Sequence, residues 1–495
     1  MSNMLDVIII GAGISGINAA YRIHSQPAPN KTTYAILEAR HCIGGTWDLF
    51  RYPGIRSDSD MFTFGLEWSP WPRPETLAAG ADIRHYLQQS ADSAGISQHI
   101  RYNHRVVAAN WVAADGCWEL TVRVAKDGEV GEDTVLRSRF LLLGTGYYDY
   151  EQPLEAHIPG LADFKGKVIH PQFWPEDYDY TGKDVVVIGS GATAVTIAPS
   201  MAPRARHVTM LQRSPTYIYP VPRFGAFAAL LGILLPAALL GILLPAALAR
   251  QLNRLLWILR GYLMVFFCRT FPGVAKSAIR RKNLTLLPPD VAWDPHFKPR
   301  YNPWEQRLCA SQDGDFFAAM RSGKVSVATD TIAAVTATEI KLASGAVLHP
   351  DVIITATGLK LKFGGGIRFT KDGVPFDVSQ KFVWKSTMIQ DLPNLFLFVG
   401  YENASWTLGA DCAAHLLVRL MAELRSKSAT VAVPHVEDPA AMEARPLLSL
   451  SSTYIRRNAG SLPKAGTGVW RPRSHYLADM YAARWGDIKT GLLIK

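Results

Sequence analysis

The chain is poor in cysteine, and the few it has are scattered. Cys42, Cys117, Cys268, Cys309 and Cys412 form no CxxC or similarly close pair in 495 residues. That excludes a disulfide scaffold, a clustered metal site and a dithiol reductase, so no metal is expected and the expected setting is a reducing cytosol. No secretory leader is expected either. The first apolar run, Leu5 to Ile10, leads straight into glycines and reads as a buried strand. Acidic residues are absent between Asp184 and Asp290, an interval that holds twelve Lys or Arg. The net charge of +10 is concentrated there, and the remainder of the chain is close to neutral. The interval is rich in Leu and Ala and carries no DNA- or RNA-binding motif. Nucleic acid is therefore set aside, and an anionic lipid surface is the expected partner.

What is present begins with length, since 495 residues exceed one hydrophobic core and call for two or three domains. Two glycine turns divide them. The first, Gly11-Ala12-Gly13-Ile14-Ser15-Gly16, follows a strand and precedes a helix expected from Ile17 to Ile23. Glu38 ends the next strand, Tyr34 to Leu37, 22 residues past Gly16. Strand, GxGxxG, helix, strand and acid together make a dinucleotide fingerprint. The glycines admit a pyrophosphate at the helix start, and the acid takes ribose hydroxyls. The second turn is Gly189-Ser190-Gly191-Ala192-Thr193-Ala194, leading into Val195, after the strand Asp184 to Ile188. Its next strand, His207 to Leu211, ends in Gln212-Arg213-Ser214 instead of an acid. A cation and a hydroxyl there suit a 2′-phosphate, so NADPH is expected over NADH. The fold class is α/β with two Rossmann-like domains, a flavin at the first and a nicotinamide at the second.

Apolar strands at Phe140 to Gly146, Val352 to Gly358 and Leu395 to Val399 fit returns between the domains. The expected boundaries are 1–145 for the first part of the FAD domain and 146–394 for the NADP domain. A helical, apolar and basic insertion occupies 215–300, and 395–495 completes the FAD domain. Residues 224–249 carry no charge, and Leu-Gly-Ile-Leu-Leu-Pro-Ala-Ala-Leu occurs twice, at 231–239 and 240–248. The length allows a membrane span. However, a return through Leu252 to Cys268 would bury Arg254 and Arg260, at roughly 2.5–3.5 kcal/mol each. Leu252, Leu255, Leu256, Leu259, Leu263 and Phe266 recur at helical spacing, which suits a helix lying in a membrane interface. Peripheral contact through 224–282, at the inner face of the cell membrane, is the expectation. The alternative is a helical subdomain packed on the protein as a wall of the substrate pocket.

Between the glycine turns lies Phe164-Lys-Gly166-Lys-Val-Ile-His170-Pro-Gln-Phe-Trp174-Pro175. This FxGxxxHxxxWP pattern resembles the fingerprint of type I Baeyer–Villiger flavin monooxygenases. A second family signature matches Gly44-Gly45-Thr46-Trp47, Tyr52-Pro53-Gly54 and Asp58. The wider run around them, Tyr301-Asn-Pro-Trp304-Glu-Gln-Arg307 and Asn403-Ala-Ser-Trp406 are similar to the ethionamide-activating branch of that family. The resemblance covers nearly the whole chain. It implies FAD along Gly11, Gly13, Ser15, Gly16, Glu38, Thr46, Trp47, Asp48 and Leu49, with Asp58 and Val106 counted among the cofactor-binding residues. It places NADPH on Gly189 to Val195, Arg213 and Ser214, and gives Phe164, Gly166, His170 and Trp174 a role in the linker that couples the domains.

The resemblance also implies Arg307 as the catalytic cation and Asp58 as the carboxylate that holds it. A guanidinium beside the flavin C4a-peroxide keeps it deprotonated and steadies the charge that develops as it attacks a ketone, giving an ester or lactone. Sulfides and thioamides are possible further substrates, and molecular oxygen is the co-substrate. The rival readings are a flavin-containing N- or S-monooxygenase and a membrane-associated cofactor-binding protein without turnover. Two positions depart from many relatives, which carry Lys where this chain has Gln306 and Gly409.

Overall fold

Strands buried on both faces read as unbroken apolar runs, and Val7 to Ile10, the buried part of the strand Leu5–Ile10, is one of them. In the computed structural model, which describes residues 4–27, 31–125, 131–223, 245–448 and 459–495, this strand is central to the larger sheet. It lies between Tyr34–Leu37 and the end of Asp133–Leu143, parallel to both. The helix Ile14–His24 follows the first glycine turn and packs on the long helix Trp406–Ser426. It starts three residues before the expected Ile17, because the turn itself caps it. The same sheet continues as an antiparallel meander through His104–Val112 and Cys117–Val124 into the first half of Asp133–Leu143.

The second sheet has five parallel strands in the order Val325–Thr329, His207–Gln212, Asp184–Ile188, Val352–Thr355 and Lys167–Ile169. The two glycine turns therefore open two separate nucleotide folds, as the α/β reading requires. The chain leaves the first sheet after Leu143, and two connectors run side by side where Tyr148 bridges Leu361. The return comes earlier than expected. Arg368–Lys371 already pairs in parallel with His104–Val112 in the first sheet, so the boundary placed at 394 moves to before Arg368. Leu395–Leu397 then adds to the same sheet beside Asp133–Leu143.

The stretch expected as a helical insertion, 215–300, is not helical throughout: Ile218–Val221 is a strand that pairs in parallel with Cys309–Gln312, and helices follow from Ala246. Ala246–Thr270 and Pro272–Leu284 meet at 109°. Among the described residues no single helix is long and apolar enough to cross a membrane. Most of the uncharged run 224–249 and of its tandem repeat, namely 224–244, lies outside the described residues. Arg254 turns inward and donates to the carbonyls of Phe62 (3.1 Å) and Gly65 (2.7 Å). Trp257, Ile258, Val265 and Cys268 are buried, while Leu252, Leu255, Leu259, Leu263 and Phe266 face outward, the last two 67% and 64% exposed.

Candidate active site

The first glycine turn is built by close approach. Gly11 has φ of +100°, and a Cβ there would stand 2.7 Å from the Gly144 carbonyl. Gly16 lets the helix sit directly on the Gly11 carbonyl, where any Cβ would overlap. Gly13 forms the N-cap of Ile14–His24, so the helix start presents its free amides to the cleft. Glu38, 6% exposed, accepts from the amides of Ala12 (2.7 Å) and Arg40 (2.9 Å). Burial pushes its carboxyl up, and the two amides pull it partly back. Both oxygens retain lone pairs for a ribose.

One cleft of about 410 Å³ gathers Gly11, Gly13, Ser15, Glu38, Thr46, Trp47, Asp58 and Val106 from the first fold with Ala192 and Thr193 from the second. Arg307 lines it as well. A second cavity of about 160 Å³ adjoins it and shares Asp58, Ser59 and Arg307. Its far wall is the helix Ala246–Thr270, through Trp257, Ile258, Arg260 and Tyr262. Arg307 therefore stands at the junction between a nucleotide cleft and a chamber of mixed lining, where Trp257, Ile258, Leu308 and Leu408 stand beside Asp60, Arg260 and Glu402. Its Nη2 donates to the Tyr401 carbonyl at 3.2 Å. Asp58 opens into the cleft deep within the molecule. That depth pushes its carboxyl up, and the charges of Arg307 and Arg56 oppose the shift.

Several expected cofactor residues stand behind the cleft instead of lining it. Asp48 is closed off by Arg40, Arg51 (2.6 Å) and Arg84 (3.3 Å), so its side chain serves as an anchor. Leu49 packs in the core of the second fold with Ala194 and Val195, and Gly16 is held by packing alone. At the second turn Gly189, with φ of +137°, lies against the Ala356 carbonyl, and Gly191 opens to empty space. Ser190 Oγ donates to the Ser214 carbonyl (2.9 Å), and Arg213 and Ser214 are exposed beside it.

The linker residues lie away from both cavities. Gly166 is covered by the Phe164 ring, so no side chain fits there. His170 Nδ1 accepts from the Gln172 amide (3.2 Å), and burial lowers its pKa. Gln172 in turn donates to the Asp149 carbonyl on the first connector (2.5 Å). Trp174 packs against Tyr180.

Sequence reasoning missed residues that only folding brings in. Arg56 lines the cleft as a second cation, paired with Asp315 at 2.5 Å. Its place two residues before Asp58 was the available signal. Trp406 Nε1 donates to Ser15 Oγ (3.0 Å) and stacks on Tyr147 at 4.9 Å. Gly409 has a clear reason to be glycine: a Cβ there would lie 2.5 Å from the Val399 carbonyl, so this docking of the helix leaves no room for lysine.

The donor set fits the expected cofactors. A helix start with free amides and a buried acid suits an adenine dinucleotide at the first turn. Exposed Arg213 and Ser214 suit a phosphorylated ribose at the second. Comparison with known proteins agrees. Residues 67–231 match the flavin-binding monooxygenase-like family model, and residues 9–73 match that of an NAD(P)-binding Rossmann-like domain. The FAD-containing monooxygenase EthA of Mycolicibacterium smegmatis is 42% identical over 491 residues, which is 99% of this chain and 96% of that protein. Its counterpart from Mycobacterium tuberculosis is 43% identical, over 99% of this chain and 97% of its own. Among solved structures, an oxidized steroid monooxygenase bound to NADP superposes with a TM-score of 0.75 at 21% identity, covering 99% of both chains. The monooxygenase OTEMO in complex with FAD and NADP reaches 0.72 at 20% identity over 100% of both, and these two likenesses speak for the fold. With full-length relatives above two-fifths identity, the chain belongs to the family of FAD-containing, flavin-binding monooxygenases.

Proposed function

We propose that this monooxygenase is of Baeyer–Villiger type and converts a lipophilic ketone, with oxygen, NADPH and a proton, into an ester or lactone, NADP+ and water. The observation that carries the reading is the place of Arg307, at the junction of the nucleotide cleft and the adjoining cavity, with Asp58 in both. FAD and NADPH, when bound, supply the electrons and activate the oxygen. The chain's own residues do the rest. Gly11 to Gly16 and Glu38 hold the FAD pyrophosphate and ribose, and Gly189 to Thr193 with Arg213 and Ser214 hold NADPH. Arg307 sets a fixed positive charge where negative charge gathers on the ketone oxygen as its carbon is attacked. Asp58 sets a negative charge across the same cleft that offsets the guanidinium, and Trp257, Ile258 and Leu308 keep water from the chamber.

The partner reading is part of the same proposal. The outward Leu and Phe stripe of Ala246–Thr270, followed by Lys276, Arg280, Arg281 and Lys282, supports peripheral contact with an anionic membrane, at its cytoplasmic face. The opposite side of the same helix walls the cavity, which supports a substrate taken from the lipid.

The test is purified enzyme with FAD, NADPH and a panel of linear, cyclic and aromatic ketones. Ester or lactone should form, and Arg307→Lys should lower its rate by about a hundredfold while flavin stays bound. Oxygenation of amines or sulfides with every ketone left untouched overturns the proposal.

A further inference from the structure

Arg307 is exposed to two cavities, so its direction depends on the contacts that hold it. One of them is the main-chain carbonyl of Tyr401, 3.2 Å from Nη2. Tyr401 is itself buried, and its hydroxyl donates to Asp479 Oδ2 at 2.8 Å. Burial pushes this phenol far above its usual range, so it stays protonated and keeps donating. Arg473 lies 5.8 Å from the ring centroid, and its Nε donates to the Val399 carbonyl at 2.9 Å. The stretch Val399 to Tyr401 is thus gripped at both ends, and Gly409 presses against its backbone from the next helix.

Asp479 sits in the first turn of the helix Tyr476–Trp485. The residues that open this helix also hold the cavity wall. The Tyr476 amide donates to the Tyr262 hydroxyl (2.5 Å), and His475 stacks on the Tyr262 ring at 3.9 Å. One turn near the C-terminus therefore braces both the chamber and the cation that faces it.

We propose that Tyr401 and Asp479 are a positioning pair for Arg307, in which the hydroxyl–carboxylate bond fixes the carbonyl that aims the guanidinium. This rests on the reading of Arg307 as the cation of the oxygenation. Neither residue touches substrate or cofactor in this role. Small misplacement of a reacting group costs about a hundredfold in rate, so a loosened carbonyl is enough to matter.

The variants are Tyr401→Phe and Asp479→Asn, each isosteric, beside wild type and Arg307→Lys. The readouts are FAD content, melting temperature, the rate of flavin reduction by NADPH, and ester formed per NADPH oxidised. In both variants flavin reduction should stay within about twofold, while ester per NADPH falls about tenfold with hydrogen peroxide in its place. The KM for ketone should change less than kcat, and the double variant should be no worse than either single one. A lower melting temperature with full ester per NADPH in the flavin-loaded variants means that the pair only holds the helix, and overturns the proposal. Should Tyr401→Phe fail to fold, Asp479→Asn carries the same two outcomes. Full coupling in Arg307→Lys would overturn the reading of Arg307 and remove the pair's role with it.

Discussion

The two nucleotide folds share a turn but differ in how deep they sit. At the first, Glu38 is buried, donated to by two amides, and enclosed in the large cleft with Thr46, Trp47 and Tyr150. At the second, Gly191 faces empty space and Arg213 and Ser214 are exposed. An enclosed site suits a cofactor that stays through many turnovers. An open one suits a reductant that must leave and be replaced. Burial, more than motif, separates resident from visitor.

The sharpest way to break this contrast is at the glycines. Gly16→Ala drives a Cβ into the Gly11 carbonyl and should yield protein without FAD, read from its visible absorbance after purification. Gly189→Ala, at a φ of +137°, drives a Cβ into the Ala356 carbonyl at the second turn and should leave FAD in place while NADPH no longer reduces it. Loss of FAD in both variants would mean the folds are not independent. The next effect is at Arg213. Replacing it with Ala should raise the KM for NADPH about ten- to a hundredfold, leave NADH unaffected and leave FAD content unchanged, as expected for one charged contact to a phosphate.

The smallest effect belongs to Glu38. Glu38→Gln should weaken FAD binding about tenfold, measured by fluorescence of the released flavin. The same site gives a pH dependence. Burial raises the Glu38 pKa, so as pH falls the carboxylate is protonated earlier than an ordinary glutamate and the ribose loses its acceptor. FAD release on acidification should begin above the usual carboxylate range and shift downward or vanish in Glu38→Gln. Arg213→Ala should leave that profile where it is.

Much of the fold was legible because its signals are local. Tyr34–Leu37 and Asp184–Ile188 have their expected limits, since doubly buried strands are continuous apolar runs. Arg368–Lys371 was not legible: it is four residues long, mixed in polarity, and defined by pairing with His104–Val112 more than 250 residues away in sequence. The helix Ala246–Thr270 inverts the usual rule. Its leucine stripe points outward, while Arg254 points in because two orphaned carbonyls at Phe62 and Gly65 need a donor. At the site, the glycines and Glu38 could be read from their spacing, while Asp58 and Arg307 were named only through the resemblance to a known family. The parts of Arg56, Trp406 and Tyr401 were not legible, because their work depends on contacts across the fold. The anchoring of the Asp48 side chain was not legible either, its motif position saying nothing of the three arginines around it.

The adjoining connectors at Tyr148 and Leu361 make the second fold a cassette nested in the first. During synthesis the outer sheet must wait, since Arg368–Lys371 and Leu395–Leu397 emerge from the ribosome only after the whole inner unit. The inner unit can assemble while the outer one is still missing strands. The flavin pocket is therefore the last part of the molecule to be finished, and truncated chains ending before 368 lack the means to close it.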